Sequence, residues 1–165
     1  ATRRAEATVA EADAATRLGD VAARLSALEA ARFDAASAKA IAEQAGRLLI
    51  VRRKPDGLLG GLWELPGGEI EPHQDRAQAL AHHLQAGLGL EAQVAEHLAV
   101  IRHAYSRFQV TVYAYRCRTS GTPTPANGWD AYHWLSADEL GAYGLTGVAT
   151  RALARVPWAG SELLL

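Results

Sequence analysis

Cysteine is almost absent, with Cys117 the only one in 165 residues. One thiol excludes an internal disulfide framework, a four-cysteine zinc site and a cysteine-held iron–sulfur cluster, and it suits a reducing, cytoplasmic setting. Long apolar runs are missing too. No stretch approaches 18 apolar residues and no signal-like apolar segment opens the chain, so neither a membrane span nor a membrane partner is expected. Net charge is close to nil: 17 Lys+Arg oppose 18 Asp+Glu for a sum of −1, which leaves no global field to attract nucleic acid. Gly-x-Ser-x-Gly elbows and phosphate loops are absent, so acyl transfer and P-loop chemistry lack support. The composition that is left, 49% hydrophobic and 21% charged residues, suffices for the core of one ordinary domain with a small appendage.

Charge is nevertheless segregated along the chain. Residues 47–54 hold Arg47, Arg52, Arg53 and Lys54 with no acid, whereas 55–96 hold seven acids and only Arg76. Residues 97–129 then carry Arg102, Arg107, Arg116 and Arg118 and no acid. Blocks of this kind fit surfaces with separate roles and also fit ordinary solvated faces.

The first 34 residues read as an Ala-rich helix distinct from the rest of the chain. Ala7, Ala14, Leu18, Val21, Leu25 and Leu28 keep heptad spacing, with Arg24 and Glu29 on the flanks. Through Leu18, Val21, Leu25 and Leu28 the helix could pair with a second copy or a partner domain, or it could lie on its own domain.

Residues 35–165 change to strands and turns. Ser37–Glu43 and Arg47–Arg53 bracket a turn in which Gly46 supplies positive φ, and Leu48–Val51 reads as a covered central strand. Gln74–Gln85 reads as a helix with Ala77, Leu80, Ala81 and Leu84 inward, ended by Gly87 or Gly89. Phe108–Tyr113 alternates strictly and reads as a half-buried strand, in whose continuation Cys117 is an apolar filler. Thr119–Gly128 is a loop, Tyr132–Leu135 a strand, Ser136–Glu139 a capping box opening a short helix, and Thr146–Val156 a last helix.

This order, with Leu62-Trp63-Glu64-Leu65-Pro66-Gly67-Gly68 in a Gly-rich loop and Trp134-Leu135-Ser136-Ala137-Asp138-Glu139-Leu140 near the end, resembles a Nudix domain. The likeness is strongest to the C-terminal domain of MutY-type adenine-DNA glycosylases. It is carried by Arg52-Arg53 ahead of Gly57–Pro66, by His103–Phe108, and by Leu145–Ala154. The resemblance implies an α+β fold, a mixed sheet sandwiched between helices.

It also implies a catalytic test. In the family, glutamates on one helix hold Mg²⁺ or Mn²⁺ against a diphosphate. Aligned on Gly68, those positions are Gln74, His82-His83, Ala86 and Gly87, so every carboxylate is missing. Gln and Ala cannot draw a hard divalent ion out of water, so neither a catalytic residue nor a metal cofactor is expected. Whether the chain is an enzyme at all stays open, because Glu64, Glu69 or Glu71 could hold Mg²⁺ or Mn²⁺ in another arrangement. The adjacent His82 and His83 point about 100° apart on a helix and do not converge on one ion.

Recognition remains. In the glycosylase domains a loop reads 8-oxoguanine, whose N7 has become an N–H donor. The matching residue is Ser106, whose hydroxyl can accept from that N–H. Tyr105 offers a ring to bases and Arg107 a charge to phosphate. With Arg53, Trp63 and Glu64 they form the candidate ligand-binding set, for a modified purine nucleotide or damaged DNA.

Overall fold

A computed structural model describes the backbone of residues 2–106 and 108–159, with the side chains of residue 2 and of 26–34 outside that description. The chain divides into two compact units, Ala1–Asp34 and Ala35–Leu165.

The first unit is one helix, α1 (Thr2–Phe33). Alanine dominates it, and alanine is the residue that loses least on entering a helix. An Asp13–Arg17 ion pair at 2.6 Å adds a favourable i,i+4 contact. Leu18, Val21 and Leu25 are exposed, at 70%, 53% and 55%. The fourth seam position, Leu28, lies among the residues whose side chains are outside the description.

In the second unit β1 (Asp34–Gln44) and β2 (Arg47–Arg53) form a hairpin. Both turn residues, Ala45 (φ 52°) and Gly46 (φ 75°), are left-handed, as the twist of a two-residue hairpin loop requires. Then come β3 (Trp63–Glu64), β4 (Gly67–Glu69), α2 (Arg76–Leu88), β5 (Glu91–Ala104), β6 (Gln109–Ser120) and β7 (Trp129–Leu135). A 3₁₀ helix, Ala137–Ala142, and α3 (Gly147–Leu153) end the described fold. The sheet runs β3-β2-β1-β6-β5, with β4 on β1 and β7 on β2.

Each face of this sheet carries a core of its own. Leu49 and Val51 of β2, with Ala38, Ala40 and Ala42 of β1, meet Leu80, Leu84 and Leu88 of α2. Leu48, Ile50 and Ile41 meet Val148, Ala152 and Leu153 of α3, with Ile101, Val112 and Leu135. A strand covered on both faces needs no polar alternation, which is why Leu48–Val51 is wholly apolar. The result is the expected mixed sheet between helices.

Several boundaries move. Helix α2 starts later than Gln74 because the Asp75 carboxylate accepts from the Gln78 N–H and caps it, and it runs on to Gly89, whose φ of 64° closes it. Within it Ala79 is buried, whereas Ala77 and Ala81 are only half-buried. Strand β7 begins at Trp129, β6 continues to Ser120, and α3 is confined to Gly147–Leu153. Strand β5 has no counterpart in the sequence pattern. Its pairing with β6 shifts register between Val94 and His97 and again before Ala99, which scrambles the alternation.

Candidate functional site

The segment that would carry metal ligands in the family is occupied with structural work. Gln74 Oε1 accepts from the Glu71 N–H at 3.1 Å and closes the turn before α2. The His83 ring covers Gly68, with Cε1 2.7 Å from where a Cβ would stand, and its Nε2 donates to the Glu69 carbonyl at 2.8 Å. Ala86 is exposed, and its carbonyl accepts from Asn127 Nδ2. Gly87 abuts the Trp129 indole so closely that any Cβ there would overlap the ring, 2.8 Å from Cε3.

One carboxylate does lie nearby. Glu64, 5% exposed, accepts from Trp129 Nε1 at 2.8 Å and from Arg53 Nη1 at 3.1 and 3.2 Å, with Lys39 Nζ 3.5 Å away. Burial raises its proton affinity. The positive charges of Lys39 and Arg53, with the hydrogen bonds from Trp129 and Arg53, outweigh burial and hold the carboxyl below its ordinary value. Glu64 is therefore an anion already neutralised by protein cations. Among the described residues no three His, Cys, Asp or Glu side chains are grouped to hold a metal ion. This donor set does not fit a hard divalent cation, which needs several anionic or carbonyl oxygens free to face it.

A second locus lies on the α3 face. The turn joining β5 to β6 is closed by the Tyr105 N–H donating to the Phe108 carbonyl at 2.8 Å. The rings of Tyr105 and Phe108 stack at 4.7 Å, and His103 meets Tyr105 edge-on at 4.6 Å. The Tyr105 hydroxyl accepts from the Val148 N–H at 3.2 Å, and His103 packs on Gly147. The hairpin tip is thus tied to the start of α3, and Ser106 stands exposed upon it. The same stretch reaches Trp63, whose N–H donates to the Gly144 carbonyl and whose carbonyl accepts from the Thr146 N–H. Trp63 also meets Tyr143 edge-on at 5.1 Å, under the Arg52 guanidinium.

The candidate set therefore splits. Trp63, Tyr105 and Ser106 are linked through residues 143–148. Arg53 and Glu64 face the other side of the sheet, bonded to each other and, through Glu64, to Trp129. Arg107 lies outside the described residues. Of the arginines in 97–129, Arg116 is engaged by Glu96 and the Pro157 carbonyl. Cys117 is buried, which pushes its thiol up to about 12, as fits a filler and not a nucleophile. Sequence reasoning missed Lys39, Trp129 and Val148. The glycine at position 87 was the one available signal, since a lost side chain on a buried helix face leaves room for a large neighbour.

Comparison with known proteins agrees with this architecture. The NUDIX domain pattern matches residues 37–155. The CTP pyrophosphohydrolase of Escherichia coli is 32% identical over 106 residues, 64% of this chain and 78% of that protein. Human adenine DNA glycosylase is 33% identical over 110 residues, 63% of this chain but only 20% of the glycosylase, so the chain spans about a fifth of that relative. The crystal structure of a MutT NUDIX hydrolase from Burkholderia pseudomallei superposes with a TM-score of 0.68 at 25% identity, covering 75% of this chain and 98% of that one. The fold, the order of its elements and the family match agree: this chain belongs to the NUDIX domain family.

Proposed function

We propose that this Nudix domain binds a purine nucleotide carrying an 8-oxoguanine-like modification, free or in DNA, and does not hydrolyse it. The observation that carries the reading is the pairing of Gly87 with Trp129. The indole takes the space a metal-binding glutamate would need, and the one buried carboxylate beside it is neutralised by Lys39 and Arg53. Supporting it are the likeness to adenine DNA glycosylases and the exposed Ser106 on a hairpin tip pinned by Tyr105. A hydroxyl there can accept from the N7–H of an oxidised purine, a donor that guanine lacks.

Titrating a fluorescent duplex containing 8-oxoguanine opposite adenine against an undamaged duplex tests this. The modified duplex should bind more tightly, and Ser106→Ala should weaken that preference by ~1–2 kcal/mol, one hydrogen bond. Equal, weak binding of both duplexes removes the specificity claim.

A second reading, a divergent Mg²⁺- or Mn²⁺-dependent pyrophosphohydrolase of nucleoside diphosphate derivatives, is favoured by the 78% coverage of the E. coli CTP pyrophosphohydrolase. With Glu64 sealed, it would have to rely on Glu69 or Glu71. A nucleotide panel assayed with both metals separates the two, since the first reading expects no turnover.

A further inference from the structure

The face of α1 bearing Leu18, Val21 and Leu25 is solvent-exposed, and nothing in the helix needs three large apolar residues at heptad spacing for its own stability. Alanine already supplies the helix. We propose that this seam pairs α1 with α1 of a second copy of the chain, side by side in parallel.

Orientation is set by charge. With Leu18 and Leu25 at a positions and Val21 and Leu28 at d positions, Arg24 occupies g and Glu29 the e position of the next heptad. In a parallel pair, g meets e of the partner five residues on, so the register sets Arg24 against Glu29 twice, with opposite signs. In an antiparallel pair that keeps Leu18 opposite Leu28 and Val21 opposite Leu25, g meets g, and Arg24 is set against its own copy. The same apolar burial is available either way, so the charges favour the parallel arrangement. Upstream, Ala7 and Ala14 at d extend the seam with small side chains, whereas Arg4 and Glu11 at a confine the strong contact to residues 18–28. Such a short seam gives a concentration-dependent dimer, not a permanent one.

In a parallel pair both chains continue from the same end of the seam, so two Ser106 hairpins are tethered together and a two-site ligand would be held bivalently. The pairing stands without the proposed ligand.

Sedimentation equilibrium of the full chain over a range of concentrations is the test. The mass should rise towards twice 17.6 kDa. Leu25→Glu, at a position 55% exposed, should hold it at the monomer. Arg24→Glu should weaken pairing about tenfold by setting like charges in two symmetric contacts, and Glu29→Arg added to it should restore the dimer. A monomer at every concentration overturns the proposal. So does an Arg24→Glu chain that dimerises like the parent, or a double exchange no better than the single one.

Discussion

The six-membered ring of the Trp129 indole stands where a side chain on Gly87 would have to go, and the Nε1 at its other edge donates to Glu64. Restoring a family carboxylate at 87 is therefore not a simple repair. Gly87→Glu forces the ring aside and loosens its bond to Glu64. Overpacking of this kind costs about 1–3 kcal/mol, so the urea midpoint should fall. Turnover with Mg²⁺ or Mn²⁺ should stay at background, and measurable hydrolysis by this variant would contradict the account of the site.

Glu64 is the hub of the network and can be tested without changing its shape. Glu64→Gln keeps an oxygen for the Trp129 N–H but removes the negative charge between Lys39 and Arg53. Two cations then face each other with no anion. Removing one partner of a buried pair costs about 3–5 kcal/mol, and the partial exposure of Arg53 reduces this to about 2–3 kcal/mol here. Equilibrium denaturation at neutral pH measures it, and a change near zero would mean that the ion cluster is incidental.

Acid should expose a second anchored carboxylate. The hydroxyl and then the N–H of Ser136 donate to Glu139, followed by His133, and together they hold its carboxyl at about 2 against an ordinary 4.5. A carboxyl depressed in the folded state contributes stability that is complete above the unfolded value and disappears as pH falls through the folded one. The loss assigned to Glu139 thus falls between 4.5 and about 2. Denaturant midpoints tracked down this range should drop less steeply in Glu139→Gln than in the parent chain. Identical slopes would remove Glu139 from the acid response.

The sheet-and-helix frame is legible in the sequence wherever burial obeys a simple period. Leu48–Val51 is apolar because both its faces are covered, and Asp75 and Gly89 mark the true ends of α2 once capping outranks the apolar pattern. Strand β5 is invisible because its bulges break the alternation that identifies a strand. At the site, the loss of carboxylates is plain from Gln74, His83, Ala86 and Gly87, but the groups that replace them are not. Lys39 and Trp129 reach Glu64 from strands far apart in sequence, brought there by the pairing of β1 with β4 and of β2 with both β3 and β7. Short-range pattern carries no information about such long-range contacts.

Tyr105 reads from sequence as a ring offered to bases, yet its hydroxyl points inward to the Val148 N–H and its face is taken by Phe108. This makes it the tether of the Ser106 hairpin. Tyr105→Phe keeps the stack and deletes only the oxygen, leaving the N–H of the buried Val148 without its acceptor. That loss costs about 1 kcal/mol and should lower the denaturant midpoint modestly. If Ser106 reads a modified purine from a fixed position, the same change should also reduce the preference for an 8-oxoguanine duplex several-fold while undamaged duplex binds as before. A small stability loss with unchanged preference would show that the tip needs no tether to present Ser106, and unchanged stability would show that the Val148 bond is not made in solution.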